Sequence, residues 1–394
     1  MAMLRFLVSV ATVVVFANAL SNGLGRRPQM GYNSWYDLMC SDSMNETVIL
    51  ESAQALVSTG LAKLGYNYVN LDDCWAEGRF PNGTVYPDSK RFPSGMKALA
   101  DRVHKLGLKF GLYSDRGNLT CGGRPGARGF EVIDARTYAD WGVDYLKEDS
   151  CHDVDEPAVA FAEYGKMRDA LNATGRPIFF SLCGWHDWYA PEGQSLGNSW
   201  RIGPDDTNWP GILTNVNIDA DLQKYAAPGG WNDPCLLLGN NYAGAPAVTP
   251  VQARTQFNLW AVLASPLLIS SNVRNLTKYE LETYSNAEVI AVNQDEAGIQ
   301  GMRVAGGNLT ASTASTNVWV RQLSNKAWAL LLVNVGPETA TVKCDSACFA
   351  KMGFKDDVQA RNLWTHEDIG PLGVNLEVAL GPDESAMFKI TEWF

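Results

Sequence analysis

The sequence lacks the features that mark metal, nucleotide, nucleic-acid and membrane proteins. Its four histidines are scattered singly and none of its eight cysteines has the CxxC spacing of a zinc site, so we expect no metal and no other cofactor. No glycine-rich phosphate loop follows the first predicted strand. Acidic residues outnumber basic ones by 43 to 32, and the net charge of −11 disfavours nucleic acid or an anionic membrane as partner. Beyond the N-terminal segment, no apolar run is long enough to span a bilayer.

The N-terminal segment has the pattern of a secretory signal peptide. Arg5 precedes an apolar run over residues 6–16, and Ala17-Asn18-Ala19 offers a small-x-small cleavage site. The run falls short of the ~20 apolar residues that a spanning helix needs, which argues against the alternative of a membrane anchor. We therefore expect residues 1–19 to be removed and the mature chain to be secreted or sent to a lysosome or vacuole.

Passage through the secretory pathway gives two residue types a structural meaning. An even number of cysteines in an oxidising compartment predicts disulfide bonds, here among positions 40, 74, 121, 151, 183, 235, 344 and 348. Sequons predict glycosylated surface positions. They occur at Asn45, Asn82, Asn118, Asn172, Asn275 and Asn308.

Strand-like segments alternate with helical apolar spacing eight times over most of the chain. The predicted strands are residues 31–35, 66–71, 109–113, 143–149, 177–183, 199 to about 205, 229–235 and 266–270. Helical spacing is clear over residues 51–64, 96–106, 134–141, 158–171 and 251–264. This alternation predicts a (β/α)₈ TIM barrel, which takes about 250 residues, rather than an open doubly wound sheet.

Near residue 295 the pattern changes to short alternating strands with turns between them. Residues 316–323, 327–335, 339–343 and 374–380 read as strands, and helical periodicity is largely lost. We therefore expect a barrel domain over residues 20–297 and an antiparallel β-sandwich domain over residues 298–394.

The carboxyl ends of the predicted barrel strands carry charged and aromatic residues. In a parallel barrel these ends meet at one mouth. Tryptophans stack on the apolar face of a sugar and carboxylates accept hydrogen bonds from its hydroxyls, so the set predicts a sugar site. Its members are Trp35, Asp72, Asp73, Tyr113, Lys147, Asp149, Trp185, Arg201, Asp205, Trp231 and Asp233.

Each of these features also has a plain structural explanation. The Asp72-Asp73 pair fits a helix N-cap, Lys147 with Asp149 a surface ion pair, and the tryptophans the core. The residues alone therefore indicate a secreted barrel with a carboxylate-rich mouth. Two such carboxylates about 5 Å apart would support retaining glycoside hydrolysis, and a non-catalytic sugar-binding barrel is the alternative.

Seven sequence blocks together resemble glycoside hydrolase family 27, the α-galactosidases and α-N-acetylgalactosaminidases. The blocks are residues 30–35, 71–75, 111–115, 144–149, 197–201, 229–234 and 291–295. The resemblance implies a (β/α)₈ barrel followed by an antiparallel β domain, acting as a retaining exo-α-galactosidase on an α-galactoside. An α-N-acetylgalactosaminidase or a β-L-arabinopyranosidase of the same family is the alternative. The oligomeric state stays open, a homodimer being one option.

The resemblance also implies a role for each matching residue. Asp149 matches the nucleophile and Lys147 its sugar-binding neighbour, so Lys147 should hold the pKa of Asp149 down. Asp205 matches the acid/base and should be protonated in the free enzyme, with Asp206 as runner-up because the spacing is one residue shorter here. The remaining predicted sugar contacts are Trp35, Asp72, Asp73, Tyr113, Arg201, Cys121 and Gly184.

Two positions depart from the family pattern. Gly184 stands where a glutamate usually follows the cysteine of the fifth strand, and Cys235 stands where a second aspartate is usual after Asp233 and Pro234. Both lie on the side that faces the C2 substituent of the sugar. His186, Asp187 or Trp188 could replace the missing groups.

The cysteines sort by the same resemblance. It implies the bridges Cys40–Cys74, Cys121–Cys151 and Cys344–Cys348. The two cysteines left over are Cys183 and Cys235, at the two departures. We hypothesise that they bond to each other and join strands five and seven.

Overall fold

The structure is a computed structural model that describes residues 22–239, 248–311, 313 and 315–393 of the chain. The predicted signal peptide lies outside these residues. Within the described ranges, every helix is too short or too polar to cross a membrane.

Eight parallel strands form one curved sheet. They are β1 (Met30–Asn33), β2 (Tyr68–Asn70), β3 (Lys109–Asp115), β4 (Tyr145–Asp149), β5 (Phe179–Cys183), β6 (Ser199–Arg201), β7 (Trp231–Asp233) and β8 (Leu267–Ile269). Their order in the sheet is β8-β1-β2-β3-β4-β5-β6-β7. Leu237, just after β7, forms a parallel bridge with Ile269 of β8 and donates its N–H to the Leu268 carbonyl at 2.9 Å. Because this bridge joins the two edges, the sheet closes into the predicted (β/α)₈ barrel.

Helices follow the strands around the barrel. They are α1 (Glu46–Ser58), α2 (Gly95–Lys105), α3 (Glu131–Trp141), α4 (Pro157–Ala173), α5 (Ala190–Leu196), α6 (Trp209–Asp219), α7 (Pro250–Val262), α8 (Lys278–Tyr284) and α9 (Ala287–Asn293). Helix α1 begins at Glu46 rather than at residue 51, because the Asn45 side chain accepts the N–H groups of Thr47 and Val48 at 3.1 Å. It ends before Gly60, whose φ of 85° breaks the helix.

Aromatic rings fill the lower interior of the barrel. Tyr145 stacks on Phe179 with 5.2 Å between ring centroids, and Tyr68 packs against both rings. Side chains two residues further along a strand point to the same face. Lys147 and Asp149 of β4 therefore lie above this aromatic floor and face the mouth, while Glu148 points away from it.

The C-terminal part is the predicted antiparallel β-sandwich. Its strands are β9 (Met302–Ala305), β10 (Thr316–Gln322), β11 (Trp328–Asn334), β12 (Ala340–Cys344), β13 (Val358–Asn362), β14 (Asp368–Leu372), β15 (Leu376–Leu380) and β16 (Ser385–Glu392). One sheet has the order β9-β10-β11-β16-β13-β14, and the other pairs β12 with β15. Leu332, Phe388 and Val342 belong to the apolar core between them. Strands β9, β13, β14 and β16 were not predicted from the sequence.

Buried polar groups join the sandwich to the barrel. Arg321 of β10 donates Nη1 to the carbonyl of Ala261 at 2.7 Å, at the end of α7, and burial lowers the pKa of this arginine to about 10. Trp209 of α6 donates Nε1 to Asp383 Oδ1 at 2.7 Å. Helix α9 ends at Asn293 and β9 begins at Met302, on either side of the predicted boundary.

Candidate active site

Asp149, the last residue of β4, is held in one orientation at the mouth. Its Oδ2 accepts the Tyr113 hydroxyl at 2.9 Å and its Oδ1 accepts the Ser150 N–H at 3.0 Å. Burial raises the pKa of Asp149 to about 6, although the Lys147 ammonium, 3.9 Å from Oδ2, lowers it. Lys147 therefore lowers this pKa as expected, but the pKa stays above its usual value. The side chain is only 6% exposed, so the loss of water outweighs one neighbouring ammonium.

Lys147 lies between two carboxylates. Its Nζ is 3.0 Å from Asp72 Oδ2, closer than it is to Asp149, and Asn33 donates Nδ2 to the same Asp72 oxygen at 2.8 Å. Burial disfavours the ammonium, but Asp72 and its other acidic neighbours keep the pKa of Lys147 well above its usual range. A charged ammonium therefore faces the space in front of Asp149.

Two loops at the mouth are tied together by Asp73 and by disulfides. Asp73 Oδ2 accepts the N–H of Gly122 at 2.7 Å, which links the loop after β2 to the loop after β3. Burial raises the pKa of Asp73, and the Gly122 hydrogen bond opposes this. The bridges that the resemblance implied are all present: Cys40–Cys74, Cys121–Cys151 and Cys344–Cys348.

Asp115 is a mouth residue to which sequence reasoning gave no role. It ends β3 and pairs in register with Asp149 of β4. Its two oxygens accept the N–H groups of Gly117 at 2.7 Å and Cys151 at 2.8 Å. Burial and the charge of Asp149 raise its pKa to about 8. The position of Asp115 at the carboxyl end of a predicted barrel strand would have been enough to predict it as a mouth residue.

Arg201, at the end of β6, holds Asp205. Its Nη1 donates to Asp205 Oδ1 at 2.9 Å, and its Nη2 donates to the carbonyls of Gly203 and Pro204 at 3.2 and 3.0 Å. Burial favours the neutral acid, but Arg201 and Lys147 outweigh it and lower the pKa of Asp205. The expectation of a protonated Asp205 in the free enzyme is therefore wrong. Its side chain is 45% exposed, so water can still exchange protons with it.

Asp206, the runner-up, is enclosed beneath the mouth. It is fully buried, and its Oδ2 accepts Nε2 of Gln256 from α7 at 3.2 Å. Burial raises its pKa well above the usual range. A carboxyl group without exposure cannot reach a substrate, so this geometry favours Asp205 as the acid/base.

Cys183 and Cys235 are both free thiols, so the predicted bond between them is wrong. Strand β6 lies between β5 and β7, and two strand spacings of about 4.8 Å exceed the reach of a disulfide. Cys183 Sγ instead lies 3.8 Å from Arg201 Nη1, and Cys235 Sγ lies 4.0 Å from the Tyr36 hydroxyl. Burial raises the pKa of each thiol, so both stay neutral.

The space beside Gly184 is filled by an aromatic ring. A Cβ built on Gly184 would lie 1.9 Å from Cε2 of Tyr189, which is buried and stacks on Trp188 with 4.0 Å between centroids. A glutamate at this position would displace Tyr189. Sequence reasoning named His186, Asp187 or Trp188 as the replacement and missed Tyr189.

An open cavity of about 540 Å³ adjoins Asp205. Trp185 on its wall has a φ of 62°, a conformation that is rare for a bulky residue and is typical of functional sites. The lining is mainly apolar and consists of Trp185, His186, Asp187, Ile202, Pro204, Asp205 and Ile218.

The other predicted residues divide between the mouth, the core and the surface. Trp35 is half-buried at the end of β1, and Asp233 is buried at the end of β7. Trp231 belongs to the core, because it is fully buried and donates Nε1 to the Gly25 carbonyl at 2.7 Å. Of the sequon asparagines, Asn45 is half-buried as the cap of α1, and the other five are exposed.

In the described part of the chain, one group of side chains has potential ligand atoms close enough together to hold a metal ion. It consists of Asp115, Cys121, Asp149 and Cys151. Its two sulfur atoms are bonded to each other, so they cannot act as thiolate ligands. The donor set therefore does not fit a thiolate-ligated metal.

The comparisons with known proteins agree with this geometry. A family model described as "Alpha galactosidase A" matches residues 27–295, and one described as "Alpha galactosidase C-terminal beta sandwich domain" matches residues 313–390. An α-galactosidase of Cyamopsis tetragonoloba is 43% identical over 94% of this chain and 87% of its own. A probable α-galactosidase of Dictyostelium discoideum is 41% identical over 92% of this chain and 90% of its own. The crystal structure of α-galactosidase I from Mortierella vinacea superposes with a TM-score of 0.86 at 32% identity, covering 94% of this chain and 98% of that one.

Proposed function

The chain belongs to glycoside hydrolase family 27, the α-galactosidases, and from this premise we propose that Asp149 and Asp205 perform a double displacement at the barrel mouth. The chain is an α-galactosidase, since its curated relatives at about 40% identity have that activity and match most of its length. The roles of individual residues and the covalent intermediate are the proposal.

In the first step, ionised Asp149 attacks the anomeric carbon of a terminal α-galactosyl group. Asp205 gives its proton to the leaving oxygen, the glycosidic bond breaks, and a β-galactosyl ester forms on Asp149. In the second step, Asp205 takes a proton from water, the water oxygen attacks the anomeric carbon, and Asp149 leaves as carboxylate. The observation that carries this proposal is the fixed pose of Asp149, whose two oxygens are held by Tyr113 and Ser150.

The electrostatics of the two carboxyl groups require a proton shift before the first step. Asp149 has the raised pKa and Asp205 the lowered one, so a single shared proton prefers the nucleophile. A sugar hydroxyl that accepts a hydrogen bond from Arg201 would weaken its pairing with Asp205. Substrate binding would thereby help move the proton to the carboxyl that needs it.

The polar groups around Asp149 suit the hydroxyls of galactose. Asp72 and Asp73 are acceptors, and Lys147 is a charged donor between Asp72 and Asp149. The cavity beside Asp205 is where a leaving group would lie, because the acid must touch the departing oxygen. Tyr189 fills the space beside Gly184 that a side chain at this position would occupy, which supports a 2-hydroxyl rather than a 2-acetamido group on that side of the sugar.

Azide rescue with an activated aryl α-galactoside tests the two roles separately. In Asp149→Gly, azide should displace the leaving group directly and give the β-galactosyl azide. In Asp205→Gly, azide should attack the β-galactosyl enzyme and give the α-galactosyl azide. Each variant should lose at least a hundredfold in turnover without azide, because a reacting carboxylate is gone.

Asp206→Asn is the matched control. It changes the neighbouring carboxyl, which is buried, and should form no azide product. An α-galactosyl azide from Asp206→Gly, with none from Asp205→Gly, would transfer the acid/base role to Asp206. A rate within tenfold of wild type for Asp149→Asn would remove Asp149 from its role.

A further inference from the structure

The seam between the barrel and the β-sandwich holds an arginine between two aromatic rings. The Arg254 Cζ lies 3.8 Å from the ring centroid of Tyr279 and 4.3 Å from that of Trp364. Arg254 belongs to α7, Tyr279 to α8, and Trp364 follows β13. Both domains therefore build this stack, which shares no residue with the mouth.

The guanidinium of Arg254 has little of its hydrogen-bonding capacity used. Its Nε donates to Thr283 Oγ1 at 3.2 Å, and no carboxylate of the described residues forms an ion pair with it. Burial lowers the pKa of Arg254, and the nearby charge of Glu282 offsets this only in part. Its two terminal nitrogens remain as donors in a fixed plane.

Two cavities lie against this stack, and Arg254 and Trp364 line both of them. Their volumes are about 260 and 490 Å³. Because the cavities share these two side chains, they are neighbours at the seam, and together they are here called the seam trough. Tyr279 and Asn362 lie on the wall of the smaller cavity, and Ser285 and His366 on that of the larger.

The walls of the trough carry hydrogen-bonding groups and an excess of negative charge. Asn362 Oδ1 accepts the N–H groups of Trp364 and Thr365 at 2.9 and 3.2 Å, which fixes the direction of its amide. Glu384 lies on the smaller cavity, and Glu282 and Glu288 on the larger. Glu282 and Glu288 form ion pairs with Lys278 and Arg361, so the trough keeps only a modest negative charge, which suits a neutral ligand.

We propose that the seam trough binds a neutral polysaccharide chain. Aromatic rings offer stacking surfaces for sugar rings, and planar arginine, asparagine and carboxylate groups bind neighbouring hydroxyls. Two neighbouring cavities suit several linked sugar units rather than a single one. The site goes beyond the proposed function and does not depend on the roles of Asp149 and Asp205.

Affinity electrophoresis in native gels that contain galactomannan tests the proposal on the full chain. The Asp149→Asn protein prevents consumption of the polymer, and saturating galactose in the gel occupies the mouth. The polymer should still retard this protein. Adding Trp364→Ala should abolish most of the retardation, and Tyr279→Ala, on the outer helix α8, should reduce it at least twofold. Trp393→Ala, a 43% exposed tryptophan outside the trough, should change nothing.

A kinetic comparison with otherwise wild-type enzyme separates binding from catalysis. Trp364→Ala should lower kcat/KM on galactomannan at least threefold and leave it unchanged on an aryl α-galactoside. Absent retardation of the parent protein, or equal retardation of the parent and both folded trough variants, would overturn the proposal. Either result would leave the proposed hydrolysis intact, because aryl α-galactoside turnover measures that function independently.

Discussion

One hydroxyl that takes no part in the chemistry helps to keep Asp149 ionised. Tyr113 donates to Asp149 Oδ2 at 2.9 Å, and this hydrogen bond opposes the rise in pKa that burial causes. A nucleophile must be ionised, so kcat/KM should fall tenfold per pH unit below the pKa of Asp149, about 6. The acid limb of the pH profile therefore reports the surroundings of this one carboxylate.

We predict that Tyr113→Phe moves this acid limb to higher pH by roughly one unit. A hydrogen bond to a charged acceptor contributes about 1.5–3 kcal/mol, and one pKa unit corresponds to about 1.4 kcal/mol. The measurement is kcat/KM against pH with α-galactosyl fluoride, whose leaving group needs little acid assistance. Tyr138→Phe on α3 removes a hydroxyl elsewhere in the barrel and should leave the limb in place. An unchanged limb in Tyr113→Phe would show that another group controls it.

For single residues, the sequence predicted which way a side chain points along a strand better than it predicted the burial and the partners of that side chain. Strand alternation correctly placed Lys147 and Asp149 on one face and Glu148 on the other, because the period of a strand is local. The raised pKa of Asp149 was not predicted because its burial comes from neighbouring strands. The lowered pKa of Asp205 was missed although its ion-pair partner Arg201 lies only four residues earlier in the chain. The Cys183–Cys235 bond was wrong although the predicted barrel already placed β6 between the two cysteines, because two strand spacings of about 4.8 Å exceed the reach of a disulfide.

Among the elements at the mouth, the loops after β3 and β4 depend on the Cys121–Cys151 bridge. It spans 30 residues, whereas Cys344–Cys348 spans 4. The entropy that a bridge removes from the unfolded chain grows with the logarithm of loop length. The longer bridge should therefore stabilise the protein more, and it also fixes the loop that carries Asp149.

We predict that replacing both Cys121 and Cys151 by serine lowers the free energy of unfolding by about 4 kcal/mol. The same change at Cys344 and Cys348 should cost about 2 kcal/mol and leave kcat unchanged, because that bridge lies in the β-sandwich. Denaturant unfolding and aryl α-galactoside turnover measure the two effects. Equal losses of stability from both pairs would contradict the loop-length argument.

Prediction of the elements succeeded where local signals agreed with the tertiary fold. The barrel strands have apolar β formers followed by polar ends, and all eight were predicted. Helix α1 was started too late because Asn45 was read as a sequon and not also as an N-cap. Strand β14 was missed because it contains Gly370 and Pro371 and is mostly exposed at a sheet edge. Its pairing with β13 is a property of the sheet rather than of its own residues.

Over the whole molecule, several buried carboxyl groups make stability depend on pH. Burial raises the pKa of Asp149 to about 6, of Asp219 to about 7 and of Asp115 to about 8. A raised folded-state pKa contributes stability that is fully present below the unfolded value near 4 and is lost as pH rises through the folded value. The fold should therefore be more stable at pH 5 than at pH 8.

We predict that Asp219→Asn flattens this dependence between pH 4 and pH 7. Asp219 is fully buried and accepts Nε2 of Gln300 at 2.9 Å, a bond that asparagine can keep without a titrating proton. Relative to wild type, the free energy of unfolding of the variant should be higher by on the order of 2–4 kcal/mol at pH 8 and nearly the same at pH 4. Thermal unfolding at a series of pH values measures this. Asp169→Asn, on the exposed face of α4, is the control and should show the same dependence of stability on pH as wild type. The same result for Asp219→Asn would show that Asp219 does not cause this dependence.

The position of β16 in its sheet determines how late in translation the sandwich can be completed. It is the last of the sandwich strands along the chain, yet it lies between β11 and β13, which are both made earlier. Until the ribosome has delivered residues 385–392, the two halves of this sheet have no strand to join them. The sandwich in turn supplies Arg321, which caps the end of α7. We therefore expect the contact between the finished sandwich sheet and the end of α7 to form only after nearly all of this sequence has been translated.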